Sequence, residues 1–249
     1  MTALPPENVY GHRKKVGFIQ ETVGRQHRDG RPVRVLDFGC GSGEAVARYL
    51  IGPDVDYLGV DIHPPSLAYA REHFAGAGAH FEDHLPADLT FDVIVYADVL
   101  EHLDDPAAVL RAHLKQLAPD GVVVASIPNG YGGFENERRI DRLLHVSDGL
   151  RGIVRGVRRL RGRPQPPPPV VPFNTESGHV VFFTRRSLDR TLKAAGLRIT
   201  RFANGSFVGA DLSGSTVLRP RWLIAANARI ADALPAWMVS TWHFEARRA

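Results

Sequence analysis

Cysteine is nearly missing from this chain: Cys40 is the only one in 249 residues. A lone thiol excludes an internal disulfide framework and fits a reducing compartment. Long apolar runs are missing too. None reaches the ~18 residues a membrane-spanning helix requires, and Met1 to Val9 lacks the apolar segment of a signal peptide. The expectation is a cytoplasmic protein. Charge of one sign is scarce as well: 31 basic against 27 acidic side chains leave a net +4, too mild for a general nucleic-acid surface. Internal repeats are absent. Apolar residues are plentiful at 44%, enough to fill the core of one α/β domain of this length.

The most informative stretch runs from Val33 to Gly43, V-R-V-L-D-F-G-C-G-S-G. An alternating apolar strand ends at Asp37 and opens into Gly39, Gly41 and Gly43, with a helical segment expected over Glu44 to Leu50. Glycine lets backbone turn sharply and approach a ligand without a Cβ in the way, and a helix start offers unpaired N–H groups. Two cofactor classes compete for such a cradle. A dinucleotide site requires G-x-G-x-x-G with an acid about 20 residues on. Here the glycines fall at every second position, and Asp61 closes a second strand, Tyr57 to Asp61, 24 residues after Asp37. A carboxylate at that strand end suits a ribose diol, because it accepts from two hydroxyls at once. Cys40 inside the loop reads as a small packing residue rather than a nucleophile.

Strand and helix patterns alternate along the rest of the chain, as in a doubly wound sheet. Further strands are expected at Ala79 to Asp83, Phe91 to Tyr96, Val122 to Ile127, Leu197 to Phe202 and Met238 to Ala246. Helices are expected at Ala107 to Leu117, Ser187 to Ala195 and Trp222 to Leu234, with a turn at Pro119-Asp120-Gly121.

The D-x-G-x-G-x-G run with Asp61 resembles the class I S-adenosylmethionine (SAM)-dependent methyltransferases. Asp92-Val93-Ile94-Val95 followed by Asp98-Val99-Leu100-Glu101-His102-Leu103 resembles the D-x-I-x…V-L-E-H-L signature of their small-molecule members, including ubiquinone-pathway and envelope-polysaccharide-associated enzymes. The resemblance covers most of residues 30–127 and 178–246. It implies a Rossmann-like α/β fold, a doubly wound seven-stranded sheet with an inserted helical, proline-rich lid. It also implies SAM as cofactor, with S-adenosylhomocysteine (SAH) as product. Carried over, Gly39, Gly41 and Gly43 would line the methionine end and Asp61 would hold the ribose, with Asp37 and Ile62 also among the cofactor-binding residues. Asp83 would bond the adenine amino group, Tyr96 would sit beside the cofactor, and Tyr10 and Arg13 would close over it from an N-terminal helix. No Asn-Pro-Pro-Tyr tetrapeptide follows the fourth strand, which ranks nucleic-acid base methylation low.

Catalytic side chains are harder to read, because the sulfonium is already an activated methyl donor. Asp98, Glu101 and His102 fall at i, i+3 and i+4, one face of a helix. This is similar to an E-x-x-E-H metal site of some ubiquinone-pathway enzymes. Asp98 is one methylene short for that pattern, and magnesium prefers oxygen ligands; a divalent cation is therefore disfavoured. His102 and His179 are the candidate general bases, with helix capping by Glu101 and His102, or loop anchoring by His179, as the alternatives.

Three regions are expected: an N-terminal helical cover over 1–30, a SAM-binding core over 31–127 and 178–249, and a substrate-facing insert over 128–177. The insert begins with a glycine- and aromatic-rich loop, Asn129 to Glu135, read as flexible. Its segment 150–163 carries six arginines and no acid beside an apolar stripe, before a proline run over 164–169. Such a segment can contact anionic membrane or a phosphorylated substrate, or simply pack on the domain. The insert is expected to act as a mobile lid. The favoured reading is methyl transfer to a small or carrier-linked acceptor, at an oxygen of a sugar, lipid or other envelope or secondary-metabolite precursor. An RNA or protein methyltransferase gripping its partner with those arginines, or a non-catalytic SAM binder, is the alternative.

Overall fold

The computed structural model describes residues 4–27, 30–76, 78–144, 149, 171–174, 178–209, 218 and 220–249. The arginine-rich helix expected at 150–163 and the proline run lie outside these residues.

Seven strands form one sheet: β1 (Val33–Phe38), β2 (Val55–Val60), β3 (Ala79–Glu82), β4 (Phe91–Ala97), β5 (Leu117–Pro128), β6 (Leu197–Asn204) and β7 (Thr241–Arg248). Their order is β3-β2-β1-β4-β5-β7-β6. All neighbours run parallel except β7, which is antiparallel to both β5 and β6. The expected doubly wound seven-stranded sheet is therefore present. Between β1 and β4 the winding reverses, and a ligand crevice opens beyond the carboxyl ends of strands at such a point.

Helices α1 (His12–Arg25), α2 (Ala47–Leu50) and α3 (Pro64–Phe74) cover one face; α4 (Pro106–His113) and α6 (Arg185–Ala194) cover the other. Between these last two, α5 (Gly133–Leu144) opens the insert, and α7 (Arg221–Ala233) precedes β7. Coverage on both faces explains why the central strands are apolar at successive positions. Val93 and Val95 pack with Phe18, Ile19 and Leu67, whereas Ile94 and Tyr96 pack with Leu110, Leu188 and Leu192. Thr184 and Ser187 start α6 with a capping box, each satisfying a backbone N–H that the helix start leaves free.

Some local expectations shift. The helix after the glycine loop shrinks to Ala47–Leu50, preceded by turns. The turn at Pro119 to Gly121 is absorbed into β5, whose register with β4 shifts between Phe91 and Val93. The Asn129 to Glu135 segment is tightly packed, contrary to its reading as a flexible loop. A Cβ on Gly130 would lie 2.6 Å from the Phe182 carbonyl carbon, and one on Gly132 would lie 2.3 Å from the Val239 carbonyl oxygen. These glycines permit close backbone approach. No helix among the described residues is long and apolar enough to cross a membrane.

Candidate functional site

The glycine loop leaves β1 and is pinned to β2, with the Gly39 and Cys40 amides both donating to the Val60 carbonyl. Gly39 has φ 77°, and a Cβ there would lie 2.6 Å from Val99. The glycine therefore lets the loop abut the segment after β4. Gly41 has φ 55° with open space where a Cβ would stand, room for a ligand against bare backbone. Asp61 orders this cradle: its Oδ2 accepts from the Gly41 amide at 2.7 Å and its Oδ1 from the His63 amide at 2.8 Å. Each carboxylate oxygen retains a further acceptor site for a hydroxyl. Next to it, Ile62 is 82% exposed, an apolar surface where a purine face could rest. Gly43 closes the loop, its amide donating to the Cys40 carbonyl.

Asp37 lies beneath the loop, fully buried, accepting from the Tyr57 hydroxyl at 2.5 Å, with Oδ1 unpartnered. Burial pushes its pKa up to about 7, against the Tyr57 hydrogen bond, with Asp61's charge adding to the rise. An unfolded aspartate ionises near 3.9. Stability should therefore fall as pH rises from about 4 to about 7, because the unfolded chain releases the proton first. Asp37→Asn removes this penalty while keeping an acceptor for Tyr57. In thermal melts it should gain on the order of 3 kcal/mol over wild type between pH 4 and pH 8; a gap independent of pH would contradict the assignment. Burial likewise raises the Cys40 thiol pKa, which keeps it from acting as a nucleophile.

Of the other expected cofactor contacts, Tyr96 and Arg13 do not join the cradle, whereas Asp83 and Tyr10 remain at the surface. Tyr96 is fully buried in the core, its hydroxyl 2.7 Å from His113 Nδ1, so it does not face the cradle. Arg13 lines a separate groove of about 460 Å³ with Lys14, Phe18, Arg201 and Asp232, which contains none of the loop glycines. Asp83 is exposed and bonded to His84 Nδ1 at 2.6 Å. Tyr10 lies half-exposed, edge-on to Phe134 at 6.2 Å.

Beyond Val99 lies a polar cluster. Asp98 does not share a helix with Glu101 and His102. It takes a left-handed φ of 59°, which ends β4 ahead of a 3-10 turn over Leu100–His102. Its carboxylate is occupied by Lys15 Nζ at 2.6 Å and Ser126 Oγ at 2.6 Å. The expected Asp98-Glu101-His102 grouping therefore gives way to another. The Glu101 carbonyl accepts from the Val180 and Val181 amides, which stitches the segment after the insert onto the 3-10 turn. Glu101, His102 and His179 thereby bring potential metal-ligating atoms within 4.8 Å of one another. Glu101 is 1% exposed with Oε2 unpartnered, and burial, reinforced by Asp98, raises its pKa well above the usual carboxylate value. His102 Nδ1 lies 2.9 Å from the Gly178 carbonyl, and burial lowers its pKa. His179 Nδ1 lies 2.6 Å from Glu135 Oε1.

Sequence reading missed Lys15 and Glu135 as members of this site. Each arrives from a distant helix, and no local motif marks either.

Residues 10–201 match the family model described as a methyltransferase domain. The chain belongs to this family. It has the class I SAM-dependent methyltransferase fold. A ubiquinone biosynthesis O-methyltransferase of Azorhizobium caulinodans is 30% identical over 129 residues, 46% of this chain and 51% of the relative. The methyltransferase chain thus spans about half the length of the curated relatives it matches. Among solved structures, a SAM-dependent methyltransferase from Clostridium acetobutylicum superposes with a TM-score of 0.57 at 13% identity, covering 96% of this chain and 92% of that one. The [4+2]-cyclase SpnF has a TM-score of 0.52 at 17% identity, covering 92% and 80%. At such identities the likeness is one of fold alone.

Proposed function

We propose that this chain transfers the methyl group of SAM to a hydroxyl oxygen of a small or carrier-linked acceptor. The observation that carries the reading is the adjoining of two sites through the Gly39–Val99 contact. On one side stands a glycine cradle ordered by Asp61; on the other stands a histidine cluster able to take a proton. Gly39, Gly41 and Gly43 hold the methionine end, Asp61 the ribose and Ile62 with Asp83 the adenine. SAM supplies the activated methyl group, so the protein's task is to align the acceptor oxygen and remove its proton.

The kinship with an O-methyltransferase supports oxygen over nitrogen. His179 has Phe134 at 6.2 Å and Phe182 at 6.5 Å, surroundings that favour an acceptor with an apolar portion beside its hydroxyl. A sugar, lipid or other envelope or secondary-metabolite precursor is the class proposed.

Methyl-labelled SAM offered with glycolipid, polyprenyl-linked sugar, phenolic and RNA acceptors tests this. Label in a base-stable ether on a small or lipid-linked acceptor is expected. Label in RNA, with binding that weakens steeply with salt, would replace the small-molecule reading with the macromolecular one.

A further inference from the structure

Glu135 reaches the histidine cluster from the insert, in the first turn of α5. Its side chain is 1% exposed, its Oε1 lies 2.6 Å from His179 Nδ1, and its Oε2 is buried without a partner. Burial opposes its ionisation, but the His179 hydrogen bond and the charges of Arg138 and Arg139 hold its pKa below the usual value. An ionised carboxylate only accepts hydrogen bonds. His179 must then donate through Nδ1, which leaves Nε2 as the ring's acceptor.

His102 offers a comparison within the same site. Its Nδ1 meets the Gly178 carbonyl, also a pure acceptor, so His102 too presents Nε2. The two rings lie edge to face at 4.9 Å. What stands behind them differs. A cation formed on His179 is hydrogen-bonded to the Glu135 anion, whereas one formed on His102 meets the Gly178 carbonyl and the charge of Asp98 against a larger burial cost. A carboxylate behind an imidazole fixes its tautomer and stabilises the imidazolium that proton transfer creates.

We propose that Glu135 is a positioning residue that holds His179 as its Nδ1–H tautomer, so that Nε2 receives the acceptor's hydroxyl proton. This rests on the O-methyl transfer reading above. As the O–H bond breaks, its proton passes to Nε2 and the oxygen's electron pair forms the new C–O bond. The C–S bond breaks with its pair left on sulfur, giving an ether, SAH and a His179 imidazolium paired with Glu135. The proton then leaves to solvent. The base is complete only while α5 is seated, through Phe134 N to Ser240 Oγ at 2.9 Å and the close-packed Gly130 and Gly132. Seating of α5 thereby governs base strength.

The test is long-range proton–nitrogen NMR of the imidazoles in the full chain with SAH, for wild type, Glu135→Gln, Glu135→Ala and His179→Asn. His179 is expected wholly as Nδ1–H in wild type, with Nε2–H the majority in Glu135→Ala and a mixture in the isosteric Glu135→Gln. His102 signals and SAH affinity should stay within two-fold of wild type. With an acceptor found by the transfer screen, kcat of Glu135→Gln should fall about 10- to 100-fold with little change in KM. An unchanged His179 tautomer in both Glu135 variants overturns the proposal. So does broadening of both rings by micromolar Mn²⁺, which would make Nε2 a metal ligand instead of a base. Failure of wild type to bind SAH would undo the cofactor reading separately, since the tautomers are read without turnover.

Discussion

Asp61→Ala should weaken SAH binding about 100-fold or more while leaving the fold intact. Hydrogen bonds to a charged group are each worth roughly 1.5–3 kcal/mol, and a ribose diol would make two with this carboxylate. Asp61 also accepts from the Gly41 and His63 amides. Its loss therefore frees the glycine loop as well as removing the ribose contact. About 3 kcal/mol corresponds to a factor near 150. Asp61→Asn keeps one acceptor oxygen, enough to hold the Gly41 amide, and should lose only about ten-fold. Calorimetric titration of SAH separates the two variants. Equal affinity for wild type and Asp61→Ala would place the cofactor elsewhere.

Gly132→Ala should be the most destabilising methyl addition in the site region. The added carbon would lie 2.3 Å from the Val239 carbonyl oxygen and 2.9 Å from Asn129 Nδ2. Neither neighbour is a free end. The Asn129 amide is itself bonded to the Trp237 and Val239 carbonyls, so the backbone entering α5 must move. Overpacking of this kind costs about 3 kcal/mol, a fall in Tm of roughly 6–12 °C for a chain of this size. SAH affinity of the folded variant should change little, because the cradle does not include this segment. Gly52→Ala, with open space around its Cβ, should shift stability by less than about 0.5 kcal/mol. Matched melting curves for both variants would refute the packed-glycine account.

Much of the fold was legible because each core strand carries its own signal. Val33 to Phe38 and Phe91 to Ala97 read as buried strands from apolar residues alone, and a strand ending in Asp61 beside a glycine run fixes the cradle locally. Tyr96 failed for a reason that period two itself supplies. Successive residues on β4 face opposite layers, so the residue beside Val95 points to the α4 side, where His113 meets it. Asp98 leaves the face that its i, i+3, i+4 spacing predicts because its left-handed φ breaks the helix ahead of Leu100. Lys15 and Glu135 were illegible for another cause: they meet Asp98 and His179 across 83 and 44 residues of chain. Only the packing of α1 and α5 creates those pairs, and no short-range pattern encodes it. Arg13 lies two residues before Lys15 on α1, so the two side chains leave the helix in different directions; Lys15 reaches Asp98 while Arg13 lines the groove with Arg201.

Calorimetric titration of SAH, and separately of NAD, into the wild-type chain distinguishes a SAM cradle from a dinucleotide site. SAH is expected to bind near the micromolar scale, about −8 kcal/mol, with no heat from NAD. Binding of NAD, or of neither compound, would remove the basis for methyl transfer at this loop.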